Sequence, residues 1–574
     1  MNAAGHNSEL AQSDAGEAPS CGGWGREGVR SEARAEQRLA PGGRAALPLT
    51  RIKHERAASF AGHPPIRLTR RSVFRKLLIA NRGEIAVRVI RACREMGISP
   101  IAVYSEVDAL ALHVRMADAA FPIGPAPAAE SYLRIDRILE AARLSGAEAV
   151  HPGYGFLAEN AEFAQACIDA GLVFVGPPPK AMRDLGLKTE ARKLMHAAGV
   201  PVVPGTLEPL KDIDEVRRAA DEVGFPVALK AVAGGGGKGL RMVAEPAQLE
   251  ASFRQAMSEA GAAFGDASVY LERAIQRPRH VEVQILADQH GECVWLGERD
   301  CSIQRRHQKV LEESPSPAVG PELRAQMGEV AVRAAQAAGY TSAGTVEFLL
   351  APDGSFYFLE VNARLQVEHP VTEEVTGVDL VREQIRIACG EPLGYDQTAI
   401  QRRGYALECR IYAEDPAAGF VPSVGRLIGY RPPAGPGVRV DSGVEEQASI
   451  SAYYDPMIAK LVVHAADRQQ GLERMARALR EFLILGVKTS IPLHRWLVGH
   501  PDVRSGDVDT DWLEREWSSA HAERVLAEDV ELAAVAAAML VDSARGSGAL
   551  AAAAPAVDGD CSAWRLAARQ AALR

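Results

Sequence analysis

The sequence predicts a multidomain protein that combines α/β and α+β architecture. Three observations lead there. At 574 residues the chain is long for one hydrophobic core, so three or four domains are expected. A strand-helix-strand pattern of the length of a parallel βαβ unit opens the patterned part at Phe74. Further on, β-rich runs flank strong turn signals, as in antiparallel hairpins.

Taken in order, residues 1–72 are rich in Gly, Ala, Ser and Arg and lack a sustained apolar period, which reads as a disordered extension. Its arginines raise an organelle-targeting segment as an alternative, but such segments are usually poor in acidic residues, which are frequent here, so a non-functional extension is expected. Next comes "FRKLLIANRGEIAVRVIRACREMGISPIAVYS". Lys76–Ala80 is a short apolar strand, and Glu84–Met96 is a helix with Ile85, Val89 and Ala92 on one face. Ile101–Tyr104 is the next strand. "AEAVHPGYGFLAEN" and "GLVFVGPPP" add two more strands, with loops at their carboxyl ends, where open α/β sheets place ligands. The partition is 73–187 for this region, 188–390 for a central region, and 404–513 for a third region of short strands and a helix over 468–483. Residues 514–574 form a helical, Ala-rich tail.

Composition excludes several functions. Hydrophobic content of 47% and charged content of 24% describe an ordinary globular chain. A net charge of −9 argues against a nucleic-acid or anionic-membrane surface. The eight cysteines are scattered without a C-x-x-C pair, so no disulfide framework or zinc motif is expected, and a reducing, cytoplasmic compartment is. The longest apolar run, "LAAVAAAMLV" from Leu532, falls short of a membrane span.

Chemistry concentrates in the central region. "LKAVAGGGGKGL" fits G-x-G-x-x-G through Gly234, Gly236 and Gly239. Gly239 also stands where a P-loop needs Ser or Thr, so the loop alone reads equally as a surface turn. In "AGTVEFLLAPDGSFYFLEVNARLQVEHPVTEE", a two-residue hairpin loop at Asp353-Gly354 puts Glu347 directly opposite Glu360, with Asn362 on the same face. Two carboxylates and an amide oxygen suit Mg²⁺ or Mn²⁺ with nucleotide phosphates, although the segment by itself also fits two glutamates splayed into solvent. If the chain stays extended, Arg364, Gln366 and Glu368 continue that face as an anion site beside a base. In "ERDCSIQRRHQKVLEES", strand alternation puts Arg305, His307 and Lys309 in one cation row, or on a basic solvated edge. Cys301 is read as a small buried hydrophobe. Arg410, inside the apolar run "LECRIYAEDP", needs an anionic partner.

Together these motifs resemble the biotin carboxylases, a branch of the ATP-grasp superfamily, from Phe74 to Glu516. The resemblance rests on "IANRGEIAVRVIRAC", "HPGYGFLAEN", "LKAVAGGGGKGLRMV", "RHVEVQILAD", "ERDCSIQRRHQKVLEESPSP", "GTVEFLL", "EVNARLQVEHPVTEEVTGVDLVREQIRIA" and "YYDPMIAKLVVHA". It implies a Rossmann-like N-terminal domain, an ATP-grasp domain with a glycine-rich lid, and a mixed C-terminal domain. It implies ATP contacts from Lys188, Lys230, Gly235, Gly236, His280, Gln304 and His307, with Glu272, Arg273, Ala274 and Ile275 as the adenine-holding linker. It implies divalent-metal ligation by Glu347, Glu360 and Asn362, and a bicarbonate site of Lys309, Arg364, Gln366 and the Val367 backbone. Glu368 is implied as the base, Arg410 as the cation for the biotin enolate, and Tyr154 beside the biotin cavity. Ala233 departs from members with a fifth glycine.

The implied activity is ATP- and bicarbonate-dependent carboxylation of biotin, the first half-reaction of acetyl-CoA and other acyl-CoA carboxylases. The implied cofactors are MgATP and a second Mg²⁺ or Mn²⁺. The implied partners are a biotin carboxyl carrier protein and a carboxyltransferase subunit, with the chain itself a homodimer. The tail after Trp512 resembles the linker of acyl-CoA carboxylase α subunits, so a truncated propionyl- or methylcrotonyl-CoA carboxylase α subunit is the alternative. A non-catalytic ATP-grasp scaffold is another. No Met-Lys-Met motif occurs in the sequence, so biotin is expected as a substrate on a carrier and not attached to this chain. Accordingly, incubating the 574-residue chain with biotin ligase, biotin and ATP leaves its intact mass unchanged; a mass gain of one biotinyl group would overturn that expectation.

Overall fold

The computed structural model describes residues 74–233, 239–525 and 527. The extension 1–72, the glycines Gly235 and Gly236, and most of the 514–574 tail lie outside the described residues.

Five strands begin the fold: β1 (Lys76–Ile79), β2 (Ser99–Ser105), β3 (Ala119–Gly124), β4 (Ala149–His151) and β5 (Val173–Phe174). They form a parallel sheet in the order β3-β2-β1-β4-β5, the doubly wound arrangement of a Rossmann-like domain. β3 carries Pro122, which cannot donate to a ladder and is tolerated here because the strand is an edge. The helix Gly83–Glu95 buries Ile85, Val89 and Ala92 as its period predicts. It also buries Val87, and it buries Ile90 in a cluster that includes Leu286, Leu296 and Leu380 from the central region. The strand order reverses between β1 and β4. There Asn81 donates to the carbonyls of Pro152 (2.7 Å) and Tyr154 (2.8 Å), tying the two carboxyl-end loops together.

A small antiparallel sheet follows in the order β7-β6-β8, from β6 (Val227–Ala231), β7 (Arg241–Val243) and β8 (Val269–Arg273). The glycine-rich stretch joins β6 to β7, and the Ala231 amide donates to the Gly239 carbonyl at 3.1 Å.

The core of the molecule is one eight-stranded antiparallel sheet. Its strands are β9 (Arg279–Ala287), β10 (Cys293–Arg305), β11 (Gln308–Ser314), β12 (Ser342–Leu350), β13 (Phe356–Asn362), β14 (Tyr405–Tyr412), β15 (Val438–Ser442) and β16 (Met457–Ala465). Their order is β13-β12-β9-β10-β11-β14-β16-β15. The β11–β14 pairing carries the sheet without a break from the central region into the C-terminal one.

The β12–β13 hairpin differs from the expectation. Its loop is the three-residue Pro352-Asp353-Gly354, closed by Ala351 and Ser355, with Gly354 at φ +86°. That shifts the register by one, so Phe348 faces Phe358. A bulge at Leu359 shifts it back, and Glu347 does face Glu360.

Gly443, just after β15, packs tightly against the N-terminal layer. A Cβ there would lie 2.4 Å from the Glu84 amide nitrogen and 2.6 Å from the Gly83 carbonyl carbon. Gly443→Ala is expected to destabilise the protein by about 1–3 kcal/mol in denaturant unfolding. Gly186→Ala, where the new methyl meets nothing within 4 Å, is the control and stays near wild type.

Candidate active site

Across the central sheet runs a row of charge. Glu360, Glu347 and Glu282 are direct cross-strand neighbours on β13, β12 and β9, and Arg299 on β10 faces Glu282. Like charges directly opposed destabilise a sheet. Two cations offset them. Arg299, fully buried, donates to Glu282 Oε1 (2.6 Å), Gln284 Oε1 (2.7 Å), Thr372 Oγ1 (2.9 Å) and Thr345 Oγ1 (3.1 Å), and to the Gln366 side-chain oxygen. Lys309 Nζ donates to Glu347 (2.8 Å), Glu368 (2.6 Å) and Glu282. Burial works to raise the Glu347 and Glu368 carboxyls. Lys309 and His280 nevertheless hold Glu347, and Lys309, Arg410 and Arg299 hold Glu368, well below the usual carboxylate range. Burial likewise opposes the Lys309 charge, and the three carboxylates keep it above the usual lysine range.

A cavity of about 540 Å³ opens over this row. Lys188, Lys230, His280, Gln304, His307, Lys309, Glu347, Glu360, Asn362, Arg364, Gln366, Val367, Glu368 and Arg410 line it, so the structure gathers these predicted residues into one place. Glu272, Arg273, Ala274 and Ile275 lie outside that lining; Glu272 reaches it only by accepting from Lys230, and it also accepts from Arg192. Two strand-parity expectations are corrected. Arg364, Gln366 and Glu368 do not continue β13, which ends at Asn362; Glu368 instead stands at the N-cap position of the helix His369–Thr376, with its carboxylate turned to Lys309 and Arg410 and no cap bond of its own. They still face the cavity, because the chain bends around it. Arg305, His307 and Lys309 form no row. Arg306 and His307 make the tight β10–β11 turn at φ +48° and +64°, and Arg305 turns away to stack over Phe420, its Cζ 4.0 Å from the ring centre.

Arg410 finds the anionic partners its burial demands. Its Nε donates to Glu312, and its Nη2 donates to Glu368 Oε2 at 3.0 Å. Arg364 donates to Glu159 (3.0 Å) and to Asn362 Oδ1 (3.0 Å). A second cavity, of about 480 Å³, adjoins the first and is lined by Asn81, Tyr154, Phe156 and Tyr454. Arg364, Val367, Arg410, Tyr412 and Asp455 line both. The would-be metal ligands fit a divalent cation by type: three side-chain oxygens, with cations or N–H donors now on each. Cys301 is buried as expected, and burial holds its thiol well above the usual range.

Sequence reasoning missed Glu282, Arg299, Glu312, Glu159 and Lys460. Glu282 carried a signal, since His280, Glu282 and Gln284 alternate with Val281, Val283 and Ile285 in "RHVEVQIL". The others have partners fixed only by strand order and inter-element contacts.

Residues 73–182 match the family model of the biotin carboxylase N-terminal domain, and residues 408–515 that of the biotin carboxylase C-terminal domain. Residues 188–395 match the ATP-binding domain of the carbamoyl-phosphate synthase L chain. The chain is 54% identical over 441 residues to a biotin carboxylase of a Nostoc species, covering 77% of this chain and 99% of that one. It is 52% identical over 443 residues to biotin carboxylase 1 of Bacillus subtilis, covering 77% and 98%. Among solved structures it is similar to the biotin carboxylase domain dimer of Hydrogenobacter thermophilus 2-oxoglutarate carboxylase, in complex with MgADP, ADP and bicarbonate. The TM-score is 0.74 at 49% identity, covering 77% and 97%. Fold and relatives define an ATP-dependent ligase of ATP-grasp architecture. The chain belongs to the biotin carboxylase family.

Beneath Arg410, Glu312 on β11 faces Glu408 on β14. Burial pushes Glu312 up to about 7 and Glu408 well above the usual range; both Glu408 oxygens are buried without a hydrogen-bond partner. A carboxyl raised in the fold contributes stability that is complete below its unfolded value and is lost as pH climbs towards the folded value. Glu408→Gln removes that loss. Its melting temperature relative to wild type is therefore expected to rise between pH 5.5 and pH 8; a pH-independent difference would show that Glu408 does not titrate there.

Proposed function

We propose that this enzyme carboxylates biotin, delivered on a carrier protein, at the expense of MgATP and bicarbonate. The observation that carries this reading is the shared wall of the two cavities. The first has lysines and arginines for a nucleoside triphosphate and an anion beside carboxylates for a divalent cation, the Tyr154 side has aromatic walls for a ring system, and Arg364, Val367 and Arg410 serve both.

In this reading Lys188 and Lys230 reach the phosphates, joined by His280, Gln304 and His307. Glu347, Glu360 and Asn362 hold Mg²⁺ or Mn²⁺, which neutralises phosphate charge. Lys309, Arg364, Gln366 and the Val367 backbone hold bicarbonate. Glu368 accepts the bicarbonate proton as its oxygen attacks the γ-phosphorus, ADP leaves, and carboxyphosphate forms. Carboxyphosphate breaks into CO₂ and phosphate, and the phosphate takes the proton from biotin N1. Arg410 pairs with the resulting ureido enolate while N1 attacks CO₂. Burial of Glu368 and Arg410 supports the exclusion of water that such labile species need. The homodimer, the carrier protein and the carboxyltransferase subunit complete the proposal; the relative named above as a domain dimer supports the first.

Glu360 and Glu368 separate the two roles. The Glu360 side chain is 39% exposed and holds Lys188 at 3.4 Å, whereas Glu368 is buried between Lys309 and Arg410. Glu360→Gln is expected to raise the Mg²⁺ requirement of biotin-dependent ATP hydrolysis, with partial rescue by excess metal. Glu368→Gln is expected to lower kcat by roughly 10²–10⁴ without rescue and with ATP affinity nearly unchanged. Recovery of both variants at high Mg²⁺ would assign Glu368 to the metal shell instead.

A further inference from the structure

We infer that Lys460 is a positioning residue for the reaction, holding the Val367–Glu368 peptide in place from beneath the two cavities. The inference rests on the roles proposed above for Glu368 and Arg410.

Lys460 lies on β16, fully buried, directly opposite Arg410 on β14. Two cations facing each other across a ladder repel. The fold separates their heads. Arg410 turns to Glu312 and Glu368, while Lys460 Nζ donates to the Val367 carbonyl at 2.8 Å. Glu84 Oε1 stands 3.2 Å and Asp441 Oδ2 3.9 Å from the same ammonium, which is also 5.8 Å from the centre of the Tyr154 ring.

A purely structural ion pair would aim the ammonium at its carboxylate. Here the shortest contact, 2.8 Å, goes to the Val367 carbonyl, and Glu84 Oε1 stands further off at 3.2 Å, outside good hydrogen-bond geometry. A buried cation is costly, and Val462, two residues along the same face of β16 and fully buried against Val371, Val375 and Ala406, shows that an apolar residue packs on that face. The chain it grips also needs gripping. Between the end of β13 at Asn362 and the helix starting at His369 the backbone is irregular, without a ladder to fix it. Two cross-strand cations therefore clamp one dipeptide, Lys460 by its carbonyl and Arg410 by its carboxylate. When Arg410 turns to the ureido oxygen, Glu368 loses one tether and the Lys460 bond remains.

The test uses the full chain with free biotin. Lys460→Met keeps the stem but leaves Glu84 without its nearest cation, so it can lose stability for that reason alone. Lys460→Met/Glu84→Gln removes both charges. We expect the double variant to regain the wild-type melting temperature and the wild-type affinity for the β,γ-imido analogue of ATP. Its kcat for bicarbonate- and biotin-dependent ATP hydrolysis is expected to stay roughly ten- to a hundredfold low, the scale of a misplaced reacting group. A double variant with wild-type kcat would overturn the inference, because charge balance would then be the whole role. So would parallel losses of kcat and analogue affinity, or a melting temperature that does not recover, since each marks a structural part. Absence of biotin-dependent turnover in the wild type would instead refute the functional reading itself.

Discussion

One ammonium group, Lys309, touches three carboxylates, and the rest of the site is arranged around that constraint. Glu282, Glu347 and Glu360 sit side by side on adjacent strands, an arrangement that costs free energy unless cations are brought to it. Antiparallel order supplies them. β10 places Arg299 opposite Glu282, and β11 folds back through the Arg306-His307 turn so that Lys309 faces Gln304 beside the row. β14 then adds Arg410 and β16 adds Lys460. No strand could leave the sheet without stranding a charge, and an unpaired buried charge costs several kcal/mol. The same inventory suits a reaction in which anions and a divalent cation enter. Each can replace one member of an existing pair, so the site need not create charge compensation when substrates arrive.

The N-terminal sheet contributes its switch point. Asn81 and Tyr154 come from the loops after β1 and β4 and line the second cavity, and Glu84 starts the helix that leaves the first loop. This layer meets the C-terminal strands by backbone, at Gly443 against Gly83 and Glu84, and by charge, at Lys460 against Glu84. The two meetings involve one residue, Glu84, whose carboxyl burial pushes up to about 7 with Lys460 beside it. The position of the Tyr154 loop relative to Arg410 thus depends on a contact with no room for a methyl group.

The sequence carried the ordered elements well where they were periodic or bounded by turns. It carried the Glu347–Glu360 pairing through two errors that cancel, a loop one residue too short and a bulge not foreseen at Leu359. Arg364, Gln366 and Glu368 were placed in the right cavity by a parity that the backbone does not keep, since the chain bends instead of extending. His307 reached the cavity from a left-handed turn, which His tolerates better than β-branched residues do. What stayed illegible was partnership. Glu282, Arg299, Glu312 and Lys460 acquire their meaning from strands paired across long stretches of chain, and strand order is not written in local periodicity. The edge strand β3 carries Pro122, a residue that argues against a strand until the strand is known to be an edge.

The lowered proton affinity of Glu368 bears directly on its proposed work. A carboxylate held ionised by Lys309, Arg410 and Arg299 is available to receive a proton but binds it weakly. A base is most effective when its affinity for the proton matches the operating pH. Both requirements are met if the stabilising cations are drawn away as substrates bind. Lys309 and Arg410 are the two that touch the carboxylate, and both also stand where an incoming anion or enolate would be held. Transfer of either cation from Glu368 to a substrate oxygen raises the affinity of Glu368 for a proton at the moment one must be taken. On the roles proposed for these residues, the resting ion pairs therefore do not oppose the base assignment; they would make its strength conditional on an occupied site.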